Sequence, residues 1–336
     1  MIILGIETSC DETSVAIYDT KKKIVFENTN SQIKIHNKYG GTIPELASRD
    51  HIKNISKLFI LTMKKSKFFL KNIDLIAYTY GPGLIGSLFI GTSFGKALSY
   101  SLGIPSIGIN HLEAHILIAF LYNKDLKFPC LALLISGAHT MFIKVLNYHS
   151  YELIGETIDD GAGETFDKIS RTLNFRYYNG VSIEKASLIN KRFRNYNFPK
   201  PLGQKDNLNF SFSGLKTAII NKIRSDSINK KDFNSVAYNF QSTIIKTISR
   251  KCKFAIKATN VKSLILAGGV SANKSLRKEL FNLSNSIGVK MYTSPLRHCT
   301  DNGTMIAFTG YIKYMDKKFD KNFYLDVNPG LNFDNT

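Results

Sequence analysis

Apolar and polar positions lay out this chain before any chemistry is considered. The opening, I-I-L-G-I-E-T-S-C-D-E-T-S-V-A-I-Y-D, reads as a buried strand, a tight polar turn, and a second strand with apolar Val15 and Ile17. The same move recurs after Pro129, where C-L-A-L-L-I-S-G-A-H-T-M-F-I-K-V predicts strand, turn at Ser136 to His139, strand. Two such hairpins opening halves of similar size predict a duplicated α/β fold with a cleft between two lobes. Between them, Ser31 to His51 reads as a loop stopped by Gly40-Gly41 and followed by a helix begun at Pro44. Asp74 to Tyr80 predicts a strand running into Gly81-Pro82-Gly83, and Ser87 to Ser101 a helix packed closely through Gly91 and Gly95. Ile104 to Ile109 is a short strand that delivers the chain to His111. In the second half, Lys200 to Lys216 predicts a loop with a helix start in F-S-F-S-G-L-K. Lys262 to Asn273 predicts strand, diglycine turn and helix N-terminus, a common seat for a nucleotide. A last helix is expected from Met305 to Met315.

Composition narrows the class. A chain of 336 residues with 43% hydrophobic content buries a large core, and its length favours two domains. No apolar run approaches the roughly 18 residues that span a bilayer, and Met1-Ile2-Ile3-Leu4 lacks a basic start. A cytoplasmic, membrane-free protein is expected. Cys10, Cys130, Cys252 and Cys299 form no C-x-x-C pair, which suits a reducing compartment and argues against a cysteine metal cluster. The net charge of +19 makes nucleic acid the first candidate partner, although a chain this rich in Lys, Asn and Ile also carries charge from AT-rich codons.

The chemistry concentrates in I-N-H-L-E-A-H, residues 109 to 115, at the head of a helix-patterned run. His111 and His115 share one helix face, about 5 to 6 Å apart at Cβ, within reach of one divalent metal. Read as residues alone, the pair also fits ordinary polar positions at a helix start. The zinc-protease pattern H-E-x-x-H needs a glutamate directly after the first histidine. Here Glu113 comes two residues later, turned about 200° away at roughly 100° per residue. Asp159, Asp160, Glu164 and Asp167 surround small residues in D-D-G-A-G-E-T-F-D-K, which a solvated acidic turn would not require. Asp301 stands just ahead of the last helix, as an N-cap or as a third ligand.

Taken together, nine segments resemble the universal tRNA threonylcarbamoyl transferase family, once labelled O-sialoglycoprotein endopeptidase. They are G-I-E-T-S-C-D-E-T (5 to 13), Y-G-G-T-I-P-E-L-A-S-R (39 to 49), G-P-G-L (81 to 84), N-H-L-E-A-H (110 to 115) and S-G-A-H-T (136 to 140). A-G-E-T-F-D-K (162 to 168), F-S-F-S-G-L-K-T (210 to 217), A-G-G-V-S-A-N (267 to 273) and C-T-D-N-G (299 to 303) complete the set. The resemblance implies the actin, sugar kinase and heat-shock chaperone fold, with 1–127 as one lobe, completed by a helix at about 304–325, and 128–303 as the other. It implies one divalent metal on His111, His115 and Asp301, iron(II) favoured and zinc tolerated. It implies threonylcarbamoyl-AMP as substrate, contacted at Leu134, Ile135, Ser136, Gly137, Ala138, Asp167, Gly180, Glu184 and Asn273.

The implied reaction is transfer of the threonylcarbamoyl group to N6 of adenosine 37 in tRNAs that read codons beginning with A. Asp11, with Glu12 beside it, is the candidate for orienting the amine or taking its proton. A metalloprotease and a sugar-kinase-type nucleotide switch stand as the alternatives. Lys168, Arg171, Lys191, Arg192, Arg194, Lys205, Lys216 and Arg297 are candidate tRNA contacts. The family's bacterial partners, a small paralogue and a P-loop ATPase, are implied too, and this sequence has no G-x-x-x-x-G-K-[ST] of its own. Three departures from the family's pattern stand out. Ala138 replaces a glycine, Tyr178-Asn179-Gly180-Val181 keeps one glycine of a P-G-G-P loop, and Tyr80 replaces a small residue. If position 138 has positive φ, alanine is costly there and weaker nucleotide binding follows.

Overall fold

The computed structural model describes residues 1–189, 194–200, 202, 207–225, 228–320 and 324–333. Its contacts divide the chain into two units, 1–124 with 300–336, and 125–299.

The first unit opens with the expected hairpin. β1 (Ile2–Glu7) pairs antiparallel with β2 (Glu12–Asp19), which pairs with β3 (Ile24–Ser31). A single turn, α1 (Ile33–His36), leads through Gly40 to α2 (Pro44–Ser66), whose proline stands at the first helical position. β4 (Leu75–Gly81) and β5 (Ser106–Asn110) then add parallel to β1, joined by α3 (Ile85–Leu102). α4 (His111–Tyr122) leaves β5 with no intervening loop. The sheet order is β3-β2-β1-β4-β5. Its core joins Leu4, Ile6, Val15 and Ile17 to Ile55 and Leu58 of α2.

The second unit repeats the plan. β6 (Cys130–Ile135), β7 (Thr140–Asn147) and β8 (Ser150–Glu156) form an antiparallel meander. α5 (Ala162–Thr172), α6 (Gly180–Leu188), α7 (Ser213–Arg224) and the 27-residue α8 (Phe233–Thr259) follow. β9 (Ser263–Ala267) pairs parallel with β6, α9 (Lys274–Ser286) returns, and β10 (Lys290–Thr293) closes the order β10-β9-β6-β7-β8. Read outward from the opening strand, this is the order of the first sheet. The duplication seen in the sequence pattern is therefore a duplication of topology.

The last helix, α10 (Gly303–Met315), belongs to the first unit and lies with its backbone against that sheet. The seam is made of small residues. A Cβ on Gly5 would fall 2.7 Å from Ala307 N and 2.8 Å from Ala307 Cβ, and one on Gly303 would fall 2.7 Å from Ala16 N. Beyond α10, Asp320 accepts from Tyr78 Oη (2.7 Å) and Ser106 Oγ (2.9 Å) and pairs with Lys96 (3.3 Å). Asn328 N then donates to Tyr80 O (3.0 Å). Tyr80, a departure from the family's pattern, lies over Gly108 and donates to Asp326 (3.2 Å), so its ring holds the tail to β4 and β5. Because the seam leaves no room for a methyl, Gly5→Ala is expected to cost about 1 to 3 kcal/mol. A lowered thermal midpoint measures it, and an unchanged midpoint would show that α10 can lift away freely.

Candidate metal centre and the residues around it

α4 begins at His111 because Asn110 caps it, its Oδ1 accepting from Leu112 N (2.9 Å) and Glu113 N (3.2 Å). One turn on, His115 comes under His111, with the rings 4.6 Å apart and nearly perpendicular. Asp301 precedes α10, but the cap of that helix is Asn302, whose Oδ1 accepts from Met305 N at 2.8 Å. The N-cap reading of Asp301 is thereby corrected. Its carboxylate turns instead to the histidines, with Oδ1 3.1 Å from His115 Nε2 and 3.4 Å from His111 Nε2. One ligand atom from each of the three residues lies within 4.8 Å of the others.

Behind His111 stands a residue that sequence reasoning missed. Glu7 is fully buried at the end of β1, and its Oε2 lies 3.0 Å from His111 Nδ1. Ser9 N and Thr79 Oγ1 donate to the same carboxylate, each at 2.5 Å. The available signal was a lone acid closing an apolar strand, G-I-E. Glu7 has no proton to give at neutral pH, so Nδ1 carries it and Nε2 points its lone pair at Asp301. Only a cation resolves that meeting, either a second proton on the ring or a metal. This donor set, two imidazoles and a carboxylate, fits a divalent ion.

The ionisation pattern agrees. Burial works against charge on His111, but Glu7 and Asp301 outweigh it and raise its pKa well above the ordinary value. Burial likewise opposes ionisation of Asp301 and Glu7, and His111 overrides it, lowering both. His115 is lowered by burial, and its Nδ1 has no hydrogen-bond partner among the described residues. Glu113 sits on the far side of α4 as expected, buried, with Oε2 2.6 Å from Lys313 Nζ of α10. It is a structural ion pair, unable to serve the histidines.

Asp11 and Glu12, at the hairpin tip, face the same charge. Both carboxyls are raised, first by burial, then by Asp301 for Asp11 and by Asp11 and Asp301 for Glu12. The tip is fixed from outside. His51 Nε2 donates to Cys10 O (2.9 Å), His51 Nδ1 accepts from Thr13 Oγ1 (2.7 Å), and Gln32 N donates to Asp11 O (3.0 Å).

In the second unit, of the substrate residues implied by the resemblance, Leu134 to Ala138 lie at the carboxyl end of β6 and Asn273 follows the turn after β9, while Asp167 lies on α5 and Gly180 and Glu184 on α6. The Ser136 to His139 turn rests on the start of α5, where Gly163 N donates to Ser136 O (3.2 Å) and Glu164 N to Gly137 O (2.8 Å). A Cβ on Gly163 would collide with Ser136 O, which explains the small residues among the acids. Leu134 and Ile135 are fully buried at the end of β6. Gly268 has φ +83° and passes over the Ile135 carbonyl where no side chain fits. Asn273 caps α9 by accepting from Leu276 N (2.9 Å) and donates to Gln241 (2.8 Å). Glu184 Oε1 accepts from Lys274 N (2.7 Å), and Asp167 is exposed on α5.

Two sequence concerns dissolve. Ala138 is not among the residues with positive φ, so its methyl carries no backbone strain. Asn179 is extended at φ −149° and caps α6 through Ser182 N (3.0 Å) ahead of Gly180, a role needing no left-handed turn. Asp159 and Asp160 are structural. Asp159 accepts from Ser211, Phe212 and Ser213 at the start of α7, and Asp160 pairs with Lys168 (3.0 Å) and Lys216. Of the basic candidates, Lys168 and Lys216 are thus held by acids, Arg194 pairs with Asp232 (2.8 Å), and Arg171 and Arg297 are exposed. Lys191, Arg192 and Lys205 lie outside the described residues.

Solved structures share the fold at low identity. HypF of T. kodakarensis matches with TM-score 0.61 and 14% identity over 94% of this chain and 48% of that one. Component A of the (R)-2-hydroxyglutaryl-CoA dehydratase of Acidaminococcus fermentans matches with TM-score 0.55 and 15% identity over 94% and 99%. The repeated sheet and these likenesses place the protein in the actin, sugar kinase and heat-shock chaperone class of α/β folds. The family model for tRNA N6-adenosine threonylcarbamoyltransferase matches residues 23–308. Proteins of that name from Wigglesworthia glossinidia brevipalpis and Legionella pneumophila (strain Lens) are 46% and 42% identical, each over 98% of this chain and covering 96% and 98% of their own. The chain belongs to the tRNA N6-adenosine threonylcarbamoyltransferase family.

The Glu7 contact generates a prediction. Glu7→Gln should weaken metal binding about 10- to 100-fold, the usual effect of losing a carboxylate behind a ligating histidine. Titration with cobalt(II), followed by its visible absorption, measures this, and wild-type affinity in the variant would deny Glu7 the role.

Proposed function

We propose that this chain transfers the threonylcarbamoyl group of threonylcarbamoyl-AMP to N6 of adenosine 37 in tRNAs reading codons that begin with A. The observation that carries this reading is family identity along the whole chain together with the converged set His111, His115 and Asp301. N6 attacks the carbamoyl carbon, the bond from that carbon to the phosphate oxygen breaks, AMP leaves with the electron pair, and N6 loses a proton. The amine is a poor nucleophile because its lone pair is delocalised into the ring, so positioning supplies much of the acceleration. When held by His111, His115 and Asp301, a divalent ion, iron(II) in preference to zinc, supplies Lewis-acid polarisation of a carbonyl or phosphoryl oxygen. Glu7 orients His111 for that task.

Asp11, with Glu12 beside it, orients the amine or receives its proton, and carboxyls raised by burial are better bases than exposed ones. Backbone groups from Leu134 to Ala138 meet the phosphate and carbamoyl. Asp167 and Glu184 accept from ribose hydroxyls, and Gly180, the Gly268-Gly269 turn and Asn273 frame the adenine. Glu113, locked to Lys313, disfavours the protease reading. Histidine ligands disfavour the kinase-type switch, since Mg²⁺ prefers oxygen. Partnership with a small paralogue and a P-loop ATPase in the cytoplasm belongs to the same proposal. Among the described residues, no helix is long and apolar enough to cross a membrane.

The test is mass spectrometry of nucleosides from tRNA incubated with this protein, the bacterial partner proteins, threonine, bicarbonate and ATP. Threonylcarbamoyladenosine is expected with the wild type and none with His111→Ala, whereas product from the mutant would remove the metal set from the reaction. Ala138→Gly is expected to leave AMP affinity unchanged in equilibrium binding, because no strained φ is relieved. A clear gain would mean the methyl itself obstructs the ligand.

A further inference from the structure

α8 is unusual in its charge. Its 27 residues contain no Asp or Glu and five cations, Lys246, Arg250, Lys251, Lys253 and Lys257. Lys246 and Arg250 are four apart, as are Lys253 and Lys257, so like charges face each other along the helix with no acid to relieve them. One cation is accounted for internally. Lys251 is buried, donates to Asn207 O (2.6 Å), and stands over the Phe210 ring. Another face of the helix carries Asn239, Ser242, Thr243, Lys246, Thr247 and Arg250, a polar stripe at i, i+3, i+4, i+7, i+8 and i+11.

That stripe is the floor of a groove of about 260 Å³ whose other wall is the segment from Asn195 to Lys200. The floor is internally satisfied. Asn239 Nδ2 donates to Arg194 O and Ser235 O (both 2.8 Å), and the Thr243 and Thr247 hydroxyls donate to carbonyls one turn back (both 2.8 Å). Lys200 and Lys246 are exposed at the groove and Arg250 is half-buried in it. Among the described residues no carboxylate lines it. Asp232, a nearby acid among the described residues, is engaged by Arg194 and by Tyr196 Oη (3.1 Å). The wall presents Tyr196 stacked on Phe198, with centroids 6.1 Å and planes 14° apart, and Lys222 Nζ lies 5.7 Å from the Phe198 ring centroid. Three cations beside a half-buried aromatic face, in a space the size of one nucleotide, suit a phosphodiester with its base or ribose against the ring.

We propose that this groove between α8 and the 195–200 segment binds the phosphate backbone of the tRNA substrate. The inference rests on the transferase reading given above, and it adds a contact outside every motif shared with the family. Lys200, Lys246 and Arg250 neutralise phosphates, and Tyr196 supplies a sequence-tolerant stacking face. The contact therefore contributes affinity and register, with no choice among bases.

The experiment is fluorescence anisotropy of a labelled tRNA transcript with the full-length protein, from about 50 to 200 mM salt. Replacing both Lys246→Ala and Arg250→Ala should weaken binding on the order of tenfold and lower the salt slope by about 1.4 to 2, the share of two phosphate contacts. Circular dichroism and cobalt(II) affinity should stay as in the wild type. If Arg250→Ala misfolds, Lys200→Glu with Lys246→Glu serves, since both side chains are exposed. The control removes the same charge elsewhere, at exposed Lys22→Ala and Lys71→Ala. Equal weakening by the control would reduce the effect to net charge and overturn the proposal. Unchanged tRNA binding with lost affinity for AMP or inorganic phosphate would make the groove a small-anion site, and displacement of tRNA by polyglutamate at matched charge would make it a site for acidic peptide. Either result overturns it. Failure of the wild type itself to bind tRNA would sink the transferase reading, a different outcome from a groove that proves silent.

Discussion

A single imidazole held between two carboxylates, Glu7 fully buried and Asp301 partly so, sets the terms for the first unit. His111 faces Glu7 through Nδ1 and Asp301 through Nε2, with little water to share the charge. Charges placed so deep persist only when each is paired and hydrogen-bonded. The surrounding structure meets that demand residue by residue. Ser9 and Thr79 saturate Glu7, Asn110 starts the histidine helix, and Asn302 takes the cap so that Asp301 is turned to the rings. Glu113 and Lys313 tie α4 to α10 on the opposite side. The tight seam through Gly5, Ala16 and Gly303 then fixes how far Asp301 stands from β1.

The second unit uses the same sheet order for another purpose. Where the first unit brings together side chains that could hold a metal, the second places backbone turns at the carboxyl ends of β6 and β9, the usual place for ligands in open α/β sheets. Glycines at 161, 163 and 268 let those turns pack against one another without a side chain between them. The scaffold is present twice, and the copies differ in the residues they carry at the strand ends.

Much of this was legible in the sequence because it follows from period. The two hairpins show as alternating apolar runs around polar turns, and the histidine pair shows as i, i+4 spacing at a helix start. What stayed hidden depends on contacts between distant segments. Glu7 resembled one more polar residue of the hairpin turn, since nothing local says it lies beside a residue 104 positions away. Asp301 and Asn302 compete for one cap, and only the packed structure shows which side chain takes it. Ala138 looked costly because φ is not written in a residue's identity. The α8 stripe drew no reading from the sequence, and its aromatic wall comes from a segment some 40 residues earlier.

The first unit is discontinuous, and synthesis gives that a temporal meaning. A ribosome releases the five strands of the first sheet early, yet the helix that covers Gly5 and Ala16, and the aspartate that completes the candidate metal set, emerge only after residue 300. The second unit, continuous from 125 to 299, has all its strands before then. The nascent first unit therefore waits with a bare stripe of small residues and two histidines lacking their carboxylate. The candidate metal set is thus completed late in synthesis, and a chain cut short before residue 301 carries the two histidines without their aspartate.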